Sequence, residues 1–182
     1  MLNAIGGVEL SSVARGLETA DAMLKTSAVK IILSRSICAG KYIVLVAGDV
    51  GAVNASVAAG AAKAAHALVD SFVIPNIHPD VFPAIEGTTV PEGLESLGII
   101  EAFSVSALIE AADAAVKAAG VKLLEIRLAM ALGGKAFVTL TGPVAAAETA
   151  VNAGAAVAGR KGLLVEKVVI PQPRPELLRE LI

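Results

Sequence analysis

Hydrophobic and polar positions change period several times along the first half of the chain. Residues 8–10 are a short apolar run that reads as the start of a strand. Ser11 or Ser12 can then cap a helix, with Ala14, Leu17, Ala20, Met23 and Leu24 at helical spacing up to about Thr26. Residues 29–37 and 41–47 are strand-like, and the Cys38-Ala39-Gly40 turn between them predicts a hairpin by its length and its glycine. An alanine-rich helix is predicted after Asp49, and a last strand over residues 69–74 ends at Pro75. The order β-α-β-β-α-β predicts an α+β domain of the ferredoxin-like split type, an antiparallel sheet with both helices on one face. Helices built from alanine and glycine bury less apolar area per residue than leucine-rich ones, but they pack close to a neighbour.

The whole pattern occurs twice. "IGGVELSSVARGLETADAMLKTSAVKII" from Ile5 aligns with "LGIIEAFSVSALIEAADAAVKAAGVKLL" from Leu97. Gly6, Glu9, Ser12, Val13, Ala20, Asp21, Lys25 and Val29 recur as Gly98, Glu101, Ser104, Val105, Ala112, Asp113, Lys117 and Val121. Further on, "AGKYIVLVAGDVGAVNASVAAGAAKA" matches "GGKAFVTLTGPVAAAETAVNAGAAVA", which sets Gly40-Lys41 opposite Gly134-Lys135. The strand ends also agree, "DSFVIPNIHPDVF" against "EKVVIPQPRPELL". The chain is read as two tandem domains, residues 1–90 and 91–182, joined near "EGTTVPEGLES" at residues 86–96.

Composition changes this picture in one respect. Hydrophobic residues make up 55% of the 182, yet aromatic residues only 3%, and the mean hydropathy is +0.75. A chain this apolar is expected to bury surface between subunits. No apolar run reaches the roughly 18 residues that span a bilayer, because Glu9, Lys63 and His66 interrupt the candidates. The first residues, "MLNAIGGVEL", lack a basic region followed by a long apolar core, so a cytoplasmic protein with a reduced thiol is expected. Fifteen basic against seventeen acidic residues leave a net charge of −2 and no nucleic-acid footprint.

Little in the sequence points to catalysis. "LGGKA" at residues 132–136 resembles a phosphate loop only superficially: the first glycine is missing and Ala136 stands where Ser or Thr is required. His66 and His78 have no Ser or Cys at a spacing that suggests a nucleophile and its base. Glu9 and Glu101 recur at the end of each first strand, which points to a repeated structural role. A non-enzyme is expected. Cys38 is the one cysteine, and by residue type alone it reads as a small unliganded hydrophobe.

The strings "ADAMLK" and "ADAAVK", the "GDVGAV" turn, "GAA" in the second helix and the "VIP" ending resemble the bacterial microcompartment shell-protein domain, twice over nearly the whole chain. Within that family the pattern is most similar to the propanediol-utilisation type with a cysteine in the first repeat's pore turn, with both repeats unpermuted. The resemblance implies a homotrimer whose six domains form a pseudohexameric tile, packed edge to edge with other shell proteins in the shell of a cytoplasmic microcompartment. It places Lys25 and Lys117 at the tile edge, where Asp21 and Asp113, one helical turn earlier, can hold them. The alternative for these pairs is a solvated helix face. Where many relatives have arginine after the last strand, this chain has Asn76 and Gln172, with His78 and Arg174 nearby as further edge residues.

The resemblance also places the turn between the second and third strands around the symmetry axis. The pore lining is then Ser36, Ile37, Cys38, Ala39 and Gly40 from the first repeat, with Ala131, Leu132, Gly133 and Gly134 from the second. Three Cys38 side chains would meet there, and the resemblance implies one [4Fe–4S] cluster per trimer, with three irons held by cysteine. Zinc is less attractive, since each chain offers one cysteine and no nearby histidine. The functions left open are a shell tile that moves electrons or a cluster across the shell, with a redox enzyme inside as partner; a cluster-free pore for metabolites or cofactors; and a trimeric ligand-binding protein that forms no sheets.

Overall fold

The computed structural model describes residues 2–90, 93–129 and 132–177. The chain forms two compact units, Met1–Pro79 and Asp80–Ile182. In the first, β1 (Ala4–Leu10), α1 (Val13–Thr26), β2 (Lys30–Ile37), β3 (Lys41–Gly48), α2 (Val50–Ala64) and β4 (Leu68–Pro75) follow the predicted order. The strands form one antiparallel sheet in the order β2-β3-β1-β4. Both central strands, β1 and β3, are buried almost throughout. That is why "AIGGVEL" and "YIVLVAG" lack the alternation of a strand wet on one face.

β1 begins at Ala4, four residues before the apolar run at Val8. Gly6 and Gly7, which precede the expected strand start, lie inside β1 as close-approach positions. A Cβ on Gly6 would lie 2.7 Å from both Val53 and Val57 of α2, and one on Gly7 would lie 2.6 Å from Leu45. A larger residue at either position would push a helix or a strand away.

The stripe expected on α1 is also shifted. Gly16, Thr19, Ala20 and Met23 are buried, whereas Leu17 and Leu24 are exposed. The face lying on the sheet is the small one: a Cβ on Gly16 would come within 2.2 Å of the Tyr42 ring. Helix α2 is similarly close to α1, where Gly60 meets Met23 and the buried Ser56 hydroxyl donates to the Met23 carbonyl at 3.1 Å. Glu18 of α1 accepts from Lys63 of α2 at 2.6 Å and from Arg15 at 2.7 Å. Lys63, then Arg15, hold the Glu18 carboxyl below the ordinary carboxylate range. Its contribution to stability is therefore present at neutral pH and lost as pH falls through that lowered value.

The second unit contains α3 (Val81–Glu86), β5 (Ser96–Ala102), α4 (Val105–Ala118), β6 (Lys122–Leu128), β7 (Ala136–Thr141), α5 (Val144–Arg160) and β8 (Leu164–Pro171). Its sheet order, β6-β7-β5-β8, repeats that of the first unit. The expected ferredoxin-like α+β fold is thus present twice. The short helix α3 has no counterpart in the sequence expectation. It packs on β6 and α4, with Val81 and Ala84 buried, and Gly87 ends it at φ 67. No helix among the described residues is long and apolar enough to cross a membrane.

The two first helices start alike. Ser12 accepts from the Arg15 N–H at 3.4 Å and Ser104 from the Ala107 N–H at 3.3 Å. The Ser12→Ala protein is expected to lose about 1 kcal/mol, the usual worth of a cap. The check is a lower urea midpoint with an unchanged denaturant slope.

Candidate functional site

The first candidate site is a tight hairpin tip. β2 and β3 pair up to Ile37 opposite Lys41, which leaves Cys38, Ala39 and Gly40 as the turn. Gly40 has φ 75, and a Cβ there would touch nothing within 4 Å, so backbone conformation and not space calls for glycine. Ile37 points inward and is buried, Ser36, Ala39 and Gly40 are exposed, and Cys38 is half-exposed. Beneath the turn, Ser34 and Tyr42 share a hydroxyl hydrogen bond of 3.0 Å.

The second unit's turn is longer. β6 ends at Leu128 and β7 starts at Ala136, with Ala129 at φ 48, Gly133 at φ 61 and Gly134 at φ 89 between them. The Lys135 N–H closes the turn on the Leu132 carbonyl at 3.2 Å. Leu132 and Gly134 are half-buried and Gly133 is exposed. Ala131, expected to line the pore, lies outside the described residues.

An ion pair anchors each turn. Lys41, the first residue after the first turn, pairs with the buried Glu9 carboxylate at the end of β1. Lys135 pairs with Glu101 at 2.5 Å in the same arrangement. These four residues give the repeated glutamates their structural role: each ties the strand leaving the turn to the central strand beside it. The signal was in the sequence, since both the glutamate and the Gly-Lys step are duplicated in register.

The two i,i+4 Asp–Lys pairs expected on the first helix of each repeat form. Lys25 donates to Asp21 and Lys117 to Asp113, each at 2.6 Å, with the acid one turn before the base and the lysine in the last turn of its helix. Both features favour the helix. The first pair is exposed, while Asp113 of the second is buried. Asn76 and Gln172, exposed after β4 and β8, both adopt left-handed backbone at φ 52 and φ 46. His78 is half-buried, and Arg174 is exposed with Glu176 at 3.5 Å.

The described residues of one chain contain no group of three or more His, Cys, Asp or Glu suited to a metal ion. A half-exposed thiol at a hairpin tip fits a metal cluster only as one ligand among several supplied by other copies.

By fold and site, then, the protein is a tandem pair of ferredoxin-like domains, each with a glutamate–lysine pair holding the turn after its second strand. Residues 4–77 and 96–173 both match the BMC domain, and the chain belongs to that family, the bacterial microcompartment shell proteins. It is 44% identical over 182 residues to the bacterial microcompartment shell protein PduT of Citrobacter freundii, covering 100% of this chain and 99% of that one. It is 48% identical over 84 residues to the shell protein EutM of Salmonella typhimurium, covering 46% of this chain and 85% of EutM. A crystal structure of a microcompartment protein from Desulfitobacterium hafniense DCB shares 51% identity at a TM-score of 0.95, with 98% of this chain and 99% of that one covered.

Proposed function

We propose that three copies of this chain close into a six-domain tile of a microcompartment shell, with their Cys38 turns meeting on the axis to hold one [4Fe–4S] cluster. The duplicated domain and the full-length similarity to a shell protein support the tile. The cluster rests on one observation, the placement of the chain's single thiol half-exposed at the tip of a hairpin. Cys38 supplies one thiolate per chain, so three chains supply the ligands of three irons and leave the fourth iron to a non-protein ligand. When bound, the cluster supplies one-electron redox chemistry.

The remaining residues position that thiol. Gly40 lets the chain reverse immediately after Ala39, and the Glu9–Lys41 pair fixes the outgoing strand. At the tile rim, Lys25 with Asp21 and Lys117 with Asp113 face other shell proteins, and a redox enzyme inside the compartment is the natural electron partner.

Anaerobically purified protein is expected to show charge-transfer absorbance in the visible and about four irons and four sulfides per three chains. Cys38→Ser is expected to lose essentially all of both while keeping the same oligomeric mass. Iron retained in Cys38→Ser, or none in the anaerobic parent, would leave a cluster-free pore as the function of the turn.

A further inference from the structure

The two hairpins that carry the turns differ in charge. Arg35 of β2 and Arg127 of β6 hold the same place in their sheets, opposite Ile43 and Phe137 of the next strand. Arg127 is matched on both sides. Glu125, two residues earlier, accepts from its Nε at 2.9 Å and its Nη2 at 2.6 Å, and the guanidinium lies 5.4 Å from the centre of the Phe137 ring. In the first unit both partners are replaced. Leu33, paired with Leu45, stands where the second unit has Glu125, paired with Thr139, and Ile43 stands where it has Phe137.

Arg35 is left without a counter-charge. Its side chain is half-buried, its Nε is buried with no hydrogen-bond partner, and among the described residues no carboxylate pairs with it. The carboxylate in the same row across the sheet is Glu9, beyond Ile43, and Lys41 already pairs with it. Over these groups the first hairpin has two cations, Arg35 and Lys41, against one carboxylate, whereas Arg127 and Lys135 meet two, Glu125 and Glu101. A guanidinium cannot shed its proton, and a buried donor without an acceptor costs free energy that an anion from outside the chain can offset. The uncompensated cation stands in the hairpin that holds the chain's one cysteine. Three residues separate Arg35 from Cys38, at most about 11 Å of extended chain.

We propose that Arg35 supplies the counter-charge for an anionic iron–sulfur cluster at the Cys38 turns and raises its reduction potential. This rests on the three-chain tile and its cluster, and names the residue that tunes them. A cluster bearing three thiolates is anionic and becomes more so on reduction, so a fixed cation favours the reduced form. Each chain brings one such cation with its one thiol. Partial burial keeps its field from being screened as fully as that of a surface charge. Arg127 has little effect of this kind, because Glu125 cancels its charge at a distance.

The test is an anaerobic redox titration of the full-length assembled protein, with the reduced cluster followed by electron paramagnetic resonance and iron and sulfide counted in the same samples. Arg35→Gln is expected to keep the cluster and to move its equilibrium at least tenfold toward the oxidised form, about 59 mV more negative for one electron. Arg35→Lys keeps the charge and is expected to stay close to the parent. Leu33→Glu leaves the arginine in place and gives it the acid of the second repeat, so it reads the charge without removing the side chain. Its potential is expected to fall in the same direction as that of Arg35→Gln. Changing Glu125→Gln and Arg127→Gln together removes a cation with its anion and is expected to leave the potential unaltered. A loaded Arg35→Gln protein at the parental potential, or Arg35→Lys shifted as far as Arg35→Gln, overturns the role of Arg35 and leaves the cluster standing. A parent that holds no iron removes the cluster and this role with it.

Discussion

The Lys41→Met protein unfolds at lower urea, with about 3 kcal/mol of stability lost, the lower end of the cost of orphaning a buried ion. Methionine keeps most of the apolar stem of the lysine and removes only its charge. The Glu9 side chain is 7% exposed against 30% for Lys41, so the carboxylate stays desolvated on a central strand without the ammonium that offset that cost. Water reaching the lysine end keeps the loss from being larger. The second repeat supplies the comparison, because the Glu101 side chain is 27% exposed and the Lys135 side chain 35%. Lys135→Met is expected to lose about 1 kcal/mol, as for a largely solvated pair. Adding Glu9→Gln to Lys41→Met recovers part of the loss, since the orphaned charge is removed with it. Urea unfolding followed by circular dichroism at one fixed protein concentration reads all three. Equal losses from the two lysine variants would contradict the assignment of Glu9 as the buried partner.

Gly154→Val has an expected cost of similar size, about 3 kcal/mol, the upper end of what overpacking a core usually costs. A Cβ on Gly154 of α5 would sit 2.6 Å from the Ala111 carbonyl oxygen of α4 and 2.6 Å from Ile100 on β5. A flexible side-chain tip could swing aside, but a helix carbonyl cannot, so α5 must lift off α4. Gly159 lies on the same helix with nothing within 4 Å of its Cβ position. Gly159→Ala is therefore expected to stabilise by up to about 1 kcal/mol through helix propensity alone. Opposite signs at the two glycines, read as shifts in the urea midpoint, distinguish close helix packing from a general effect of glycine in helices. Destabilisation of the same size at both would contradict it.

These positions show where the sequence was readable. The element order emerged because punctuation and caps occur twice in register: Ser12 and Ser104, Gly40 and Gly134, Pro75 and Pro171. The Asp21–Lys25 and Asp113–Lys117 pairs were readable because their spacing is local and a helix brings such residues together unaided. The first half of β1 was hidden because Gly6 and Gly7 look like a turn until α2 is known to descend on them. Helix α3 spans six residues, too few to establish a period, and carries Pro83 in its first turn, where proline is tolerated. The Glu9–Lys41 pair joins residues 32 apart in sequence, so only the duplicated pattern, and no spacing rule, hints at it. The period of α1 was visible through Leu17, Ala20, Met23 and Leu24, but the helix buries the smaller Gly16 and Thr19 with Ala20 and Met23 and leaves Leu17 and Leu24 exposed, because Gly16 lets it sit close on the Tyr42 ring.

The convergence of three Cys38 turns on one axis is tested most directly by native mass spectrometry of protein purified and sprayed without oxygen. Three 18.3 kDa chains carrying the added mass of a single four-iron, four-sulfide cluster is the expected species, reverting to three bare chains in Cys38→Ser. A lone chain, an assembly of two or four, or a trimer whose added mass survives the loss of the thiol would contradict it.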